Sequence, residues 1–436
     1  MEKVYAYIDQ NLDRFIEELF VLVRQPSISA RWEGVEECSK LLVQMMENVG
    51  IHPRVLPMGG KRNPPLVYGH YDVQPPEPLE AWESPPFQPT IRNGRIYGRG
   101  TADNKGQFFA HLKAIESVLK INGKLPVNVK FLLDPEEEVG SPSLNEFCRQ
   151  NKALFAADMA MNSDGPMDIS GRPRLSFGNR GVLYVEVTSR GANTDLHSGN
   201  FGGPVPNPAW RLVEFLSTLR KSDGTVAIEG FYDNIVPPTP KEKEMMARIP
   251  FDEKRFMEKY GLKKFTPPDD ISYMEKLMFR PTLNIAGLTS GYGGPGSKTV
   301  LPCQAVLKMD MRLVVSQTPE DIFEKYVRHM KRYGFDDLEV NLLNSYAPSR
   351  TAVDHPMAAR FVEAIRQGFQ KDPVLIPSGG GSFPGAAIRS ILNIPILSVP
   401  YGNADENNHA PNENLAIDCF KGGIRTTAAL FFQLAG

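Results

Sequence analysis

VNVKFLLDPEEEVGS (127–141) runs from an apolar segment straight into three adjacent glutamates. Its first half reads as a buried strand, because apolar residues occupy both faces. Its second half sets carboxylates where that strand ends, and carboxylates this close repel unless a cation or a proton separates them. The pattern recurs along the chain. PLVYGHYDV (65–73) is an apolar strand running into His70 and Asp72, ADMAMNSDG (157–165) another running into Asp164, and IPILSVPYG (394–402) a third. From Asn104 a helical period runs through Phe108, Leu112, Ile115 and Leu119. Two-sided apolar strands alternating with helices predict an α/β fold with a mostly parallel sheet covered on both faces.

Toward the N-terminus, Val4, Ile8, Leu12, Phe15, Ile16, Leu19 and Val23 keep helical spacing up to Gln25-Pro26, which predicts one helix. A second follows, with Val35, Leu41, Leu42, Met45 and Val49 inward and Gly50 past its end. TIRNGRIYGRG (90–100) reads as a hairpin turning on Asn93-Gly94. The texture changes near residue 181. VLYVEVTS (182–189) and AVLKMDMRLVV (305–315) alternate apolar and polar, as in a sheet with one wet face. Helices are expected at about 207–220 and 318–333, with a Pro/Gly-rich stretch at 291–302. After Tyr346 the α/β texture returns, with a helix from 354 and a C-terminal helix from Asp418. A chain of 436 residues is too long for one core. The expected organisation is a discontinuous catalytic domain, 1–177 plus 348–436, with an α+β domain inserted over 178–347.

A formal net charge of −2 gives no general pull toward nucleic acid or an anionic membrane. Apolar stretches fall short of the ~20 residues that span a bilayer. MEKVYAYIDQNLDRFIEEL has no basic region followed by an apolar core, so no signal peptide is expected. Cys38, Cys148, Cys303 and Cys419 are scattered and form no CxxC pair, as expected of free thiols in a cytoplasmic protein.

With seven histidines, each can be weighed. His52, His329 and His355 lie in polar surroundings and read as surface residues; His111, mid-helix, reads as a boundary residue. His70, His197 and His409 sit in Gly/Asp-rich turns. In GHYDV, His70 and Asp72 share a strand face, so the carboxylate can orient the imidazole of a metal ligand. A satisfied His–Asp pair is the alternative, and this motif alone leaves both open. Asp103 in GRGTADNKG (98–106) fits a helix N-cap equally well. Asp164 in NSDG fits an ordinary turn, and His409 in ENNHAPNEN (406–414) an ordinary loop. Together, however, His70, Asp103, Glu137, Glu138, Asp164 and His409 all follow strands or lie beside them, and such strand ends converge on one crevice. Two histidines with several carboxylates suit Zn²⁺, or Mn²⁺ or Co²⁺ in its place. Five or more ligands exceed one tetrahedral ion, which suggests two metals bridged by a carboxylate.

HYDVQP, GRGTADNKG, DPEEEVGS, NSDG, DLHSGNFGG and NNHAPNE, in that order, resemble the M20 metallopeptidase family, and within it the carnosinase-like dipeptidase branch. The resemblance covers essentially the whole chain. It implies a zinc-exopeptidase catalytic domain and a ferredoxin-like α+β lid and dimerisation domain. It also implies two Zn²⁺ per subunit, Asp103 bridging them, with His70 and Asp164 on one ion and Glu138 and His409 on the other. Asp72 would orient His70. Glu137 would be the general base, taking a proton from the water between the metals and passing it to the leaving amine. Glu136 is left over, as a structural residue. Asn104 stands where relatives often have aspartate, a side chain that is not a ligand.

His197, in DLHSGNFGG (195–203), would reach the partner subunit's site in a homodimer and stabilise the oxyanion. By spacing alone it reads as an ordinary turn. Asn284 and Arg312 sit where the family contacts substrate, although a buried salt bridge is the alternative for Arg312. SGGGSFPG (378–385), with Gly381 and Ser382, could hold an anion such as a peptide C-terminus on its backbone N–H groups. Carnosinase-type relatives often carry Arg-Glu just before the glycines, where this chain has IPS.

The expected reaction is amide hydrolysis in dipeptides or short peptides; the alternative is an N-acyl amino-acid deacylase with the same core. GGPGSKT (293–299) is not a phosphate loop, since Ser297 separates glycine from Lys298. GGSFPG is not a nucleophile elbow, because Pro384 replaces the required glycine. A non-catalytic metal-binding module would have no need of Glu137.

Overall fold

The computed structural model describes residues 1–53, 66–266 and 270–435. Among the described residues, a six-stranded and a four-stranded sheet dominate. The larger sheet draws first on β1 (Leu66–His70), β2 (Lys130–Asp134), β3 (Ala160–Asn162) and β4 (Arg174–Ser176). The smaller sheet is built from β5 (Gly181–Arg190), β6 (Thr282–Ser290), β7 (Gln304–Leu313) and β8 (Glu339–Tyr346). β9 (Val374–Ile376) and β10 (Ile396–Ser398) follow.

The larger sheet has the order β9-β4-β10-β3-β1-β2, parallel at every pairing except β10 with β4. The mostly parallel sheet is therefore as expected. Pro65, at the head of the first predicted strand, lies outside the described residues. VNVKFLL pairs only from Lys130 onward. Because β1 has β2 on one side and β3 on the other, the chain reverses its winding direction there, the usual place for a crevice at the strands' carboxyl ends.

The N-terminal period does not make one helix. It splits into α1 (Glu2–Gln10) and α2 (Leu12–Arg24) at Asn11. Asn11 Nδ2 donates to the Tyr7 carbonyl at 2.9 Å, a local bond that competes with the helical ladder. α3 (Val35–Asn48) follows as expected. α4 (Lys105–Asn122) is buried along most of its length, and a Cβ on Gly69 would come within 2.8 Å of Phe108 Cβ, so glycine lets this helix press on β1. The buried Lys105 Nζ donates to the Gln25 carbonyl at 2.6 Å, setting a cation at the C-terminal end of α2. His111 is not a boundary residue. It is fully buried, bonds Thr427 Oγ1 at 2.8 Å, and burial pushes its pKa down to about 3.

The smaller sheet has the order β6-β7-β5-β8, antiparallel throughout, and is covered by α5 (Pro208–Leu219) and α6 (Pro319–Arg332). With one helix after its first strand and one after its third, this is the ferredoxin-like arrangement. Leu183, Val185 and Val187 on β5 and Leu307, Met309 and Met311 on β7 face the helices, matching the predicted alternation. His329, expected on the surface, is buried in this layer, where Nε2 meets Thr218 Oγ1 at 2.9 Å. The edge strands β6 and β8 lack a regular burial alternation, which is why the sequence did not announce them. Short helices at Pro240–Ala247, Glu253–Tyr260 and Tyr273–Phe279 were likewise unforeseen.

The chain enters and leaves the segment that builds the smaller sheet through a two-stranded ribbon, Gly178–Asn179 against Ser349–Arg350. α7 (Met357–Phe369) and α8 (Ile417–Ala435) then complete the main core with α4. The four cysteines are free thiols. Among the described residues, no helix is long and apolar enough to cross a membrane.

Candidate active site

The predicted ligands gather at the carboxyl edge of the larger sheet. His70 is the last residue of β1, and Asp164 lies two residues past β3. Glu137 and Glu138 open a one-turn 3-10 helix, Glu137–Val139, just after β2. Asp103 precedes α4, and His409 sits in the loop after β10. Asp103 is central: its Oδ1 lies 3.1 Å from His70 Nε2 and its Oδ2 lies 3.0 Å from His409 Nε2. Asp164 Oδ2 lies 3.9 Å from His70 Nε2, and Glu138 Oε2 lies 3.3 Å from His409 Nε2. The donor atoms of His70, Asp103 and Glu138 lie within 4.8 Å of one another.

This donor set fits divalent metal ions. His70 Nε2 is buried and has no hydrogen-bond partner, although carboxylate oxygens surround it. Burial alone would lower the pKa of His70, but the carboxylates of Asp103 and Asp72 outweigh it and hold it well up. Burial raises Glu137 and Glu138 well above the usual carboxylate range, and neighbouring carboxylates add to the rise. Asp164 is pushed up to about 6, by burial first and Asp103 next. So much negative charge in one crevice is what bound cations would relieve.

Asp72 organises the cluster. Strand pairing stops at His70, yet Asp72 Oδ1 remains 3.3 Å from His70 Nδ1. Its oxygens also accept the backbone N–H groups of Glu137 (3.2 Å) and Glu138 (3.0 Å). One buried carboxylate thus orients the histidine and both glutamates. Gln74 Nε2 donates to Glu138 Oε2 at 2.8 Å, fixing that carboxylate toward His409. Glu136 turns away and accepts the Ser143 N–H at 3.3 Å, the structural part expected of it. Asn104 is not placed as a ligand, for its amide donates to the Ser163 carbonyl at 2.7 Å.

Glu413, in the NNHAPNE motif, was given no role from sequence. It is fully buried, and its carboxylate accepts the N–H groups of Gly100 (3.1 Å), Ala102 (2.9 Å) and Asp103 (2.9 Å) as well as Arg99 Nη1 (2.8 Å). It ties the loop that carries His409 to the loop that carries Asp103. The signal in the sequence was an acid four residues after the histidine, facing a GRGTAD run of small residues with accessible N–H groups.

Residues 66–433 match the profile of Peptidase family M20/M25/M40, well over half of the chain. The chain belongs to the M20 peptidase family. The Beta-Ala-His dipeptidase of Rattus norvegicus is 28% identical over 471 residues, covering 100% of this chain and 96% of the relative. The Cys-Gly metallodipeptidase dug1 of Schizosaccharomyces pombe is 30% identical over 468 residues, covering 100% and 98%. Among solved structures, the M20 family metallo-carboxypeptidase Sso-CP2 from Sulfolobus solfataricus superposes with a TM-score of 0.88 at 33% identity, covering 97% of this chain and 99% of that one. Human carnosine dipeptidase 1 gives 0.81 at 27%, covering 100% and 99%. The protein is thus an enzyme, a hydrolase of the carnosinase-like branch.

In this M20 peptidase, three of the four predicted substrate-contacting residues are joined in one chain of bonds through Asp310. Asn284 Nδ2 donates to Asp310 Oδ1 at 2.8 Å, Asp310 Oδ2 lies 3.3 Å from Arg312 Nε, and Arg312 Nη1 donates to Ser382 Oγ at 3.0 Å. The Arg312 side chain stays one-third exposed, so its ion pair with Asp310 is not a buried bridge. Gly381 borders open space, where a Cβ would meet nothing within 4 Å. Arg180 Nε donates to the Gly380 carbonyl at 3.0 Å and pins the glycine loop. His197 takes no part in the contacts around Asp103. It is exposed on the Leu196–His197 strand, where Nδ1 accepts the Gly199 N–H at 3.0 Å.

Proposed function

We propose that this M20 peptidase is a two-metal dipeptidase. The observation that carries the reading is Asp103, which offers one oxygen toward each of two histidines on opposite sides (3.1 and 3.0 Å), as a bridging ligand must. His70 and Asp164 would complete one position, Glu138 and His409 the other. Zn²⁺, with Mn²⁺ or Co²⁺ as substitutes, would supply Lewis acidity to the scissile carbonyl and to the attacking water. Glu137 takes the proton from that water at its carboxylate and delivers it to the leaving amine. Arg312 and the Gly381–Ser382 turn hold the substrate's terminal carboxylate, with Asn284 beside them. A fixed carboxylate anchor sets the scissile bond at a fixed distance from the substrate's C-terminus. The relatives named for β-Ala-His and Cys-Gly support dipeptides over N-acyl amino acids.

Dialysis against a chelator is expected to abolish dipeptide hydrolysis, and Zn²⁺ or Mn²⁺ to restore it. Dipeptides should exceed N-acyl amino acids in kcat/KM by at least about tenfold, the scale set by losing a fitted contact to the free amino group, which acylated amino acids lack while keeping the carboxylate. Activity indifferent to the chelator, or a preference for acylated amino acids, would overturn the reading.

We assign 178–347 to the inserted lid and dimerisation domain, and the cytoplasm as the location, where four free thiols persist. In a homodimer His197 would reach the partner's crevice and donate to the oxyanion. Trp210 (66% exposed) and Val213 on the outer face of α5 support an apolar contact there. A His197→Ala protomer and an Asp103→Ala protomer, each nearly inactive alone, are expected to recover activity when mixed. Each heterodimer then holds one intact site. Verified heterodimers without recovery would exclude a shared site.

A further inference from the structure

The one-turn helix that carries Glu137 is held from two domains. Its N–H groups are tied to Asp72 in the catalytic domain. Its outer side leans on the end of β8, in the inserted domain. Tyr346 Oη donates to the Glu137 backbone carbonyl at 3.2 Å. Two residues earlier on β8, the Asn344 amide lies against Gly140, the left-handed residue (φ 96°) that ends the turn. A Cβ at Gly140 would come within 2.5 Å of Asn344 Oδ1.

This contact depends on an irregularity in β8. Val340 and Leu342 pair with Val187 and Val185, residues on the helix-covered face of the sheet. The register then slips by one residue at Leu343, so that Asn344 and Tyr346 pair with Tyr184 and Val182. A one-residue slip moves every following side chain to the opposite face. Without it, Asn344 and Tyr346 would point into the helix-covered core. With it, both turn toward the glutamate loop. The end of β8 is also closely confined, since a Cβ on Gly181 would lie 2.5 Å from the Tyr346 carbonyl oxygen. Tyr346 therefore stands beside the interdomain ribbon, where a rotation of the inserted domain moves it with the domain.

We propose that Tyr346, seconded by Asn344, is a positioning residue for Glu137, through which the seating of the inserted domain sets where the general base stands. The proposal rests on the reading of Glu137 as that base. Neither side chain is assigned a contact with metal or substrate; both act through the peptide of Glu137 and the turn's final residue. Losing the hydroxyl leaves the Glu137 C=O held only within its own turn, by the Gly140 N–H at 2.9 Å, and removes its tie to the inserted domain. The base then samples positions away from the attacking water, and small misplacements of reacting groups cost rate steeply.

The test uses the full-length, metal-loaded enzyme and a dipeptide substrate. Tyr346→Phe is expected to lower kcat about tenfold, within the range that misplacement of a catalytic group produces. KM, metal content and the thermal midpoint should remain near wild type. Asn344→Ala should do the same to a smaller degree, and it keeps the test open if the tyrosine variant folds poorly. A role confined to stability would lower the thermal midpoint while leaving kcat per metal-loaded site unchanged. Glu137→Gln is run alongside. If that variant is inactive while Tyr346→Phe and Asn344→Ala keep wild-type kcat, the inference fails and the assignment of the base stands. If Glu137→Gln is itself active, the assignment fails first.

Discussion

Glu137→Gln is expected to lower kcat about 10³-fold, the middle of the range for losing a general acid–base group. Metal content should not change. The two halves of this expectation come from the divergence of neighbouring glutamates. Asp72 accepts both of their N–H groups, and the side chains leave that shared anchor in different directions. Glu138 is fixed by Gln74 at 2.8 Å and faces His409, where a carboxylate can serve as a metal ligand. Glu137 lies among the charges of His70, Asp164, Glu138 and Asp103 without being one of the groups that approach a histidine nitrogen. An amide of equal volume keeps the packing and cannot take a proton. Metal analysis beside steady-state kinetics checks both halves. Glu138→Gln provides the contrast, since it should lose metal and activity together. A Glu137→Gln enzyme with near-normal turnover would remove the base from the mechanism.

What could be read from sequence was whatever rests on strand ends. His70, Asp164 and the Glu137–Glu138 pair each follow an apolar run, and a mostly parallel sheet carries such residues to one edge whatever its loops do. The fold of the insertion was similarly open to reading on its central strands β5 and β7, where alternation is enforced by helices on one face. Features set by long-range packing were hidden. His111 and His329 look polar in their local windows, yet Thr427 and Thr218 satisfy them inside the core. The break at Asn11 leaves the apolar period intact and comes from one side-chain bond. The slip at Leu343 lies on an edge strand with no regular burial alternation, so nothing local marked Tyr346 as different from its neighbours.

Glu413→Gln should weaken metal binding about 10- to 100-fold, the usual cost of losing the group that orients a ligand. The carboxylate accepts three consecutive-loop N–H groups and one guanidinium, all buried. If the remaining amide oxygen keeps the Gly100, Ala102 and Asp103 N–H groups, its NH₂ must face Arg99, donor against donor. A buried donor left without an acceptor costs about 1–3 kcal/mol, so a lower thermal midpoint accompanies the change. Charge adds to the geometry. Glu413 and Arg99 form a neutral pair at 2.8 Å. Neutralising the acid leaves an uncompensated guanidinium beside the loop of Asp103, where it opposes the binding of cations. The variant should therefore regain turnover as metal concentration is raised, while KM for the dipeptide changes little. Glu137→Gln, by contrast, should not respond to added metal at all. Titrating both variants with Zn²⁺ while following turnover separates a residue that holds a ligand in place from one that moves the proton. Wild-type metal affinity in folded Glu413→Gln would show that the Asp103 loop keeps its shape without the clamp.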